Sequence, residues 1–295
     1  MFGEALQRCL IGLTEASRSV AILFSGGVDS LLIALLAQRF LPAHCFIDLI
    51  NVSFDEKSGD FSGAPDRRRG LKAYSYLKKK YLKSLYRLIL VNVGRTELSR
   101  CRSESIAFLI APSCSVLDDS IGCVQWFAAK GEGLVYEEDR NIQEMKSVAS
   151  VALVGSGADE VFGGYMRHRH AYDKGDRDAV IDGLEEELRV IGRRNLGRDD
   201  RVTLETLYRA PYLDEIFVSW ANQLPLECKT DFKKERGVGE KKIIREALKR
   251  LGVPEELYSA PKQAMQFGTR IAHLENSKEK GSDVCLRLVP CCEKF

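Results

Sequence analysis

The feature that most constrains this chain is a short apolar run, Ser19-Val20-Ala21-Ile22-Leu23-Phe24. It delivers directly into Ser25-Gly26-Gly27-Val28-Asp29-Ser30 and then into a leucine- and alanine-rich stretch over residues 31–37. A brief apolar run without alternation reads as a strand buried on both faces, and the stretch after the glycines reads as a helix. Two adjacent glycines let backbone N–H groups close on a phosphate, the serine hydroxyls add donors, and the start of a helix favours negative charge. The turn is therefore expected to bind an anion. It is not a Walker loop, because no Gly-Lys-Ser or Gly-Lys-Thr follows.

Strand and helix signals keep alternating after this unit. Residues 46–54 and 85–93 read as apolar strands, residues 66 to about 83 as a helix capped by Asp66, and residues 96–110 and 119–130 as further helices. A fourth strand over residues 148–154 runs into a second glycine loop, Gly155-Ser156-Gly157-Ala158-Asp159-Glu160. Such alternation builds a doubly wound parallel sheet covered by helices on both faces, so the first half is expected to be α/β. Beyond about residue 173 the strand signals fade. Polar helical patterns at 178–194, 213–223 and 240–251 make this part mainly helical, and it is expected to pack over the open edge of the sheet.

Composition narrows the function classes. Apolar residues at 45% and charged residues at 29% exclude a largely disordered chain. Lys plus Arg at 44 against Asp plus Glu at 42 leaves no field to recruit nucleic acid or membrane lipid, and Lys78-Lys79-Lys80-Tyr81-Leu82-Lys83 reads as a solvated helix face. No stretch reaches the roughly 18 uninterrupted apolar residues of a membrane span. The first residues lack the basic start and apolar run of a signal peptide. Nine cysteines, odd in number and without a C-x-x-C pair, read as free thiols in a reducing compartment. A cytoplasmic address is expected, with a nuclear one left open. Cys285, Cys291 and Cys292 crowd near the end without metal-ligand spacing, and His168 and His170 read as surface or loop residues.

The first loop resembles the pyrophosphatase loop of enzymes that split ATP between its α- and β-phosphates, whose form is Ser-Gly-Gly-hydrophobic-Asp-Ser. Two further stretches narrow the resemblance to the asparagine synthetase family. Residues 151–165, ending Ala158-Asp159-Glu160-Val161-Phe162-Gly163-Gly164-Tyr165, are similar to its second glycine-loop signature. Arg209-Ala210-Pro211-Tyr212-Leu213-Asp214 resembles its Arg-x-Pro-Phe-Leu-Asp element, and the order and spacing of all three agree. The stretches starting at Leu117, Arg194 and Pro261 are similar to a eukaryotic branch of the family. The likeness implies a sheet of the ATP-pyrophosphatase, adenine nucleotide alpha hydrolase-like type. It would be one synthetase-like domain over residues 1–272, with a nucleotide-binding part (1–172), a helical part (173–272) and a tail (273–295).

The resemblance implies chemistry as well. Ser25, Gly26, Gly27, Val28 and Ser30 would hold the pyrophosphate of ATP, Val52 would lie near the adenine, and Gly155, Ser156 and Gly157 would form the second wall. Asp29 and Asp159 would hold Mg2+; taken singly, each would read as a helix cap, and it is their pairing in matching loops that favours the metal. Lys262 occupies the place of a lysine that faces the reacting phosphate, and Lys241 or Lys242 that of a second phosphate-contacting lysine. The implied substrates are a small-molecule carboxylate, aspartate favoured, and ammonia. Other acceptors, or a nucleotide-binding scaffold without turnover, are the alternatives.

Two departures qualify the likeness. Family members begin with a glutaminase domain whose nucleophile is a cysteine at position two, whereas this chain has Phe2 and a first strand at residue 19. Glutamine hydrolysis is not expected within this chain, and ammonia would come from solution, a separate glutaminase or a partner subunit, unless the sequence is a fragment of a longer chain. Ser156 stands where the family has a glutamate, a residue suited to take a proton during amination, which serine cannot do at neutral pH.

Overall fold

A computed structural model describes residues 1–13, 17–55, 59–81, 86–136, 143–175, 177–203 and 206–274. Helix α1 (Phe2–Cys9) precedes β1 (Ser19–Leu23), α2 (Val28–Ala37), β2 (Phe46–Asp55), α3 (Pro65–Lys80) and β3 (Tyr86–Gly94). Then come α4 (Arg95–Cys101), α5 (Ala107–Ile110), α6 (Val116–Lys130), β4 (Glu132–Val135), β5 (Gln143–Lys146) and β6 (Val151–Leu153). The chain continues through α7 (Ala158–Phe162), α8 (Met166–Asp173), α9 (Arg177–Ile191), α10 (Gly197–Val202), β7 (Leu207–Arg209), α11 (Glu215–Asn222) and α12 (Leu226–Lys229). It closes with α13 (Lys242–Arg250), α14 (Glu255–Tyr258), α15 (Met265–Gly268) and α16 (Ile271–Leu274).

The strands form one sheet in the order β5-β4-β3-β2-β1-β6-β7. From β3 to β7 every pairing is parallel, as expected, but β4 pairs antiparallel with β3 and β5 antiparallel with β4. The doubly wound parallel sheet is as expected, and β4 and β5 add an antiparallel edge to it. Side chains alternate between two cores, as the two-residue period of a strand requires. Val20, Ile22, Ile47 and Leu49 pack with α1, α2, α3 and α13, while Ala21, Ile50, Val52 and Val91 pack with α6 and α16 on the other face. Leu31, Ile33 and Leu35 of α2 are at most 1% exposed, and each contributes about 1.5–3 kcal/mol by burial.

Two expectations about the helices change. Asp66 does not cap α3: Ala64 is the N-cap and Pro65 opens the first turn, where a fixed φ and a missing N–H cost nothing. Asp66 instead pairs with Arg69. The later part of the chain does not simply cover the sheet edge. It adds β7 to that edge, packs α13 on α2, and places α10 and α15 on α6, so it holds both faces.

Candidate active site

The strand order places the site. The chain steps from β1 to β2 and β3 in one direction, whereas β6 and β7 lie on the other side of β1. At such a switch point the loops leaving the two central strands diverge and open a crevice beyond their carboxyl ends. The first glycine loop follows β1 and the second follows β6, so the two sequence signals meet there. A Cβ on Gly155 would stand 3.1 Å from that of Asp29, which measures how closely the loops approach. They border a cavity of about 450 Å³, within the range of small-molecule sites.

Local structure explains the first loop. Gly26 has φ 71°, and a Cβ there would come within 2.5 Å of the Arg69 and Gly70 backbone, so only glycine fits. Gly27 is extended and leads into α2. Ser25 Oγ accepts from the Gly27 N–H at 3.2 Å, and Ser30 Oγ donates to the Gly27 carbonyl at 3.2 Å. Beneath the loop, the Asn51 amide donates to the carbonyls of Phe24 (2.8 Å) and Asp66 (3.1 Å), and buried Arg67 donates to Asn51 Oδ1 at 2.7 Å. Asn51 and Arg67 thus tie β1, β2 and α3 together under the loop.

Four charged side chains converge where the loops meet. Lys241 Nζ lies 2.6 Å from Asp29 Oδ2 and 2.9 Å from Asp159 Oδ1, and Lys262 Nζ lies 2.5 Å from Asp159 Oδ2. Lys262 also sits 3.9 Å from the Tyr165 ring centroid, and the Tyr165 hydroxyl donates to Glu160 at 2.6 Å. Burial pushes the Asp159 carboxyl up, but Lys241 and Lys262 overcome that and hold it well below the ordinary carboxylate range. Burial leaves Asp29 above its ordinary value, because it has Lys241 close by but also the negative charge of Asp159. Burial alone would lower the Lys241 ammonium; Asp159 and Asp29 raise it instead.

This donor set fits magnesium. The Lys241 ammonium already bridges two carboxylates as a cation would, and Asp29 Oδ1 is buried without a hydrogen-bond partner. Among the described residues no group of three or more His, Cys, Asp and Glu gathers. One or two carboxylates, completed by phosphate oxygens and water, are what magnesium ordinarily takes from a nucleotide site.

The cavity brings together Ser25, Gly26, Gly27, Val28, Asp29, Ser30, Val52, Gly155, Ser156, Gly157, Asp159, Lys241 and Lys262. Lys242 is the exception, since its ammonium donates to the Glu227 carbonyl on the surface at 3.1 Å. Helix α13 begins at Lys242 and the preceding Lys241 is left-handed, so the two side chains diverge. His168 also departs from expectation: it is buried and lies 3.1 Å from Glu187, joining α8 to α9. Arg69, Gln125, Arg198, Asp199 and Arg245 line the cavity as well. Arg198 and Asp199 lie within the stretch starting at Arg194 and Gln125 just beyond the one starting at Leu117, but the pattern of the sequence gave none of the five a role in the site. The three late cysteines and most of the tail lie outside the described residues.

Ser156 has an unexpected setting. Its hydroxyl is 2.7 Å from that of Tyr208, which in turn donates to Asp199 Oδ2 at 3.3 Å and accepts from Gln125 Nε2 at 3.2 Å.

A doubly wound sheet whose first strand runs into Ser25-Gly26-Gly27-Val28-Asp29-Ser30 at the switch point is the fold of the PP-loop class. The chain matches the family described as asparagine synthase over residues 1–69, 141–206 and 199–280, and it belongs to that family. It is 39% identical to asparagine synthetase domain-containing protein 1 of Mus musculus, covering 97% of this chain and 50% of the relative. It is also 39% identical to the Gallus gallus protein of that name, over 94% and 49%. This chain therefore spans about half the length of the curated relatives it matches. A solved structure, the U34-tRNA thiolase NcsA of Methanococcus maripaludis, superposes with a TM-score of 0.38 at 13% identity, covering 100% of this chain and 78% of the thiolase. That likeness is too loose to bear on function.

Proposed function

We propose that this chain activates a carboxylate with ATP, forming an acyl-adenylate and pyrophosphate, and then passes the acyl group to ammonia, with aspartate the favoured acid. The observation that carries this reading is the cluster of Asp29, Lys241, Asp159 and Lys262 at the junction of the two loops. A carboxylate is a poor electrophile. Attack of its oxygen on the α-phosphorus turns that oxygen into part of a leaving group, and negative charge gathers on the departing pyrophosphate. Lys241 and Lys262 supply positive charge where it is needed. Ser25 to Ser30 offer backbone N–H groups and two hydroxyls to the pyrophosphate, with Gly155 and Gly157 opposite and Val52 beside the adenine. Asp29 and Asp159 would hold Mg2+, which when bound neutralises phosphate oxygens. Ammonia would be the nitrogen nucleophile.

A different acceptor is the second reading, and the hydroxyl pair of Ser156 and Tyr208 favours it, because the family glutamate is missing there. Exchange of labelled pyrophosphate into ATP, run with each amino acid and a panel of dicarboxylic acids, tests both. Exchange that requires aspartate supports the first reading, and exchange that requires another acid supports the second. ATP binding with no exchange for any acid would leave only a scaffold and overturn the proposal.

A further inference from the structure

Behind the second glycine loop, four side chains from four elements form a polar cluster that adenylation does not use. Gln125 comes from α6, Ser156 from the loop, Asp199 from α10 and Tyr208 from β7. The hydrogen bonds have one direction. Tyr208 has a single proton and gives it to Asp199, so its oxygen accepts from Ser156 Oγ and from Gln125 Nε2. That orientation turns Gln125 Oε1 away from Tyr208. This oxygen is buried and has no hydrogen-bond partner, although Gln125 is only 2% exposed and lines the cavity. An unmet buried acceptor is costly, and a ligand N–H would relieve the cost.

Charge points the same way. Arg198 donates to Asp199 Oδ1 at 2.7 Å and to Asp118 Oδ1 at 2.6 Å, so two carboxylates share one guanidinium and one negative charge is left over. Burial lifts the Asp199 carboxyl above its ordinary value, with Arg198 opposing and Asp200 adding to the rise. The cluster thus offers a ligand acceptor atoms and net negative charge, the complement of a small cation rich in N–H.

We infer that Gln125, Ser156, Tyr208 and Asp199 form the subsite for the nitrogen nucleophile, an ammonium ion or small primary amine, and that the chain of hydroxyls leads its proton to Asp199. The inference rests on the adenylation proposed above. The nucleophile loses one proton to Ser156 Oγ, Ser156 passes its own to Tyr208, and Tyr208 passes its own to Asp199 Oδ2. The freed nitrogen lone pair forms a bond to the acyl carbon, the bond from that carbon to the phosphate oxygen breaks with its electron pair leaving on AMP, and the second proton that the nitrogen sheds to become an amide goes to water. No oxidant or further reactant is needed. Gln125 Oε1 holds the nitrogen and is a positioning residue, whereas Ser156 touches the proton that moves.

The test separates the two half-reactions, using the acid that supports exchange and ammonium chloride as the amine. Tyr208→Phe keeps the ring and removes the relay, and Gln125→Leu removes the orphan acceptor. Pyrophosphate exchange should stay within about twofold of the parent in both, while ammonia-dependent AMP release falls at least about thirtyfold in Tyr208→Phe, as losing a proton acceptor predicts. Gln125→Leu should raise the KM for ammonia about tenfold or more with a smaller change in kcat. A solvent deuterium isotope effect on the ammonia step should be present in the parent and lost in Tyr208→Phe. Parent-like ammonia transfer in both variants, or equal loss of exchange and transfer, would overturn the subsite and leave adenylation standing. Absence of exchange in the parent with every acid would remove adenylation, and the subsite with it.

Discussion

Lys241 holds its ammonium 2.6 Å from the carboxylate of Asp29, 212 residues away in the chain, from a left-handed backbone at φ 52°. For a residue other than glycine that conformation costs about 1–2 kcal/mol, and it turns the side chain into the cavity while Lys242 starts the next helix outside. Lys241→Met should destabilise the protein by about 3 kcal/mol, the lower end for breaking a buried pair, because Lys262 still faces Asp159. Added Mg2+ should raise the melting temperature of Lys241→Met more than that of the parent, since two carboxylates would then lack their bridging cation. Lys242→Met should change neither quantity, and thermal unfolding with and without Mg2+ checks all three.

The two aspartates should differ in their effect on stability. Asp159 is held below its ordinary pKa, so its contribution is fully present above the unfolded carboxylate value of about 4 and is lost as pH falls toward the lower folded value. Asp29 is raised, so its ionised form gains nothing from folding. At pH 7 Asp159→Asn should therefore lower the melting temperature clearly, with the gap to the parent closing below about pH 4. Asp29→Asn should melt close to the parent or above it. Melting curves from pH 3 to 8 would contradict this if Asp29→Asn proved the less stable variant.

Gly26 is expected to tolerate nothing larger. Gly26→Ala would force a left-handed alanine and drive its methyl into the Arg69 and Gly70 backbone, which cannot rotate away. A loss of more than about 1 kcal/mol in denaturant unfolding is the expected result, together with loss of ATP binding by calorimetry. A variant that binds ATP as the parent does would show that the loop does not need this close approach.

How far the sequence disclosed this site depended on whether a signal is local. The two glycine loops announce themselves because strand, turn and helix follow one another within about a dozen residues, and their meeting follows from a parallel sheet. The antiparallel pair of β4 and β5 gave no such signal: Gln143-Glu144-Met145-Lys146 is a polar, largely exposed edge strand with no apolar run to find. β7 is only three residues long. Lys241 and Lys242 are adjacent, and only the helix start between them decides which one enters the cavity. The contact of Ser156 with Tyr208 joins residues 52 apart and could not be read from either neighbourhood.

That contact changes what is expected of restoring the family glutamate. Ser156→Glu would place a third carboxyl near Asp199 and Asp118 and press it against the Tyr208 hydroxyl. Alone it should lower the melting temperature and reduce ammonia transfer. Combined with Tyr208→Ala, which opens the space, it should recover much of the stability and leave a carboxylate where the family has one. Equal melting temperatures for Ser156→Glu and the parent would argue that Tyr208 does not fill that space.

The most direct test of the account is positional isotope exchange in ATP labelled with 18O at the α,β-bridging oxygen, incubated with Mg2+ and the acid that supports pyrophosphate exchange. Reversible cleavage between the α- and β-phosphates at the cluster of Asp29, Lys241, Asp159 and Lys262 predicts that the label scrambles in the parent. The scrambling should require the acid and vanish in Asp29→Asn and Asp159→Asn. Scrambling that persists undiminished in both variants, or ATP that binds and returns unscrambled with every acid, would contradict the claim that the two loops form one adenylating site.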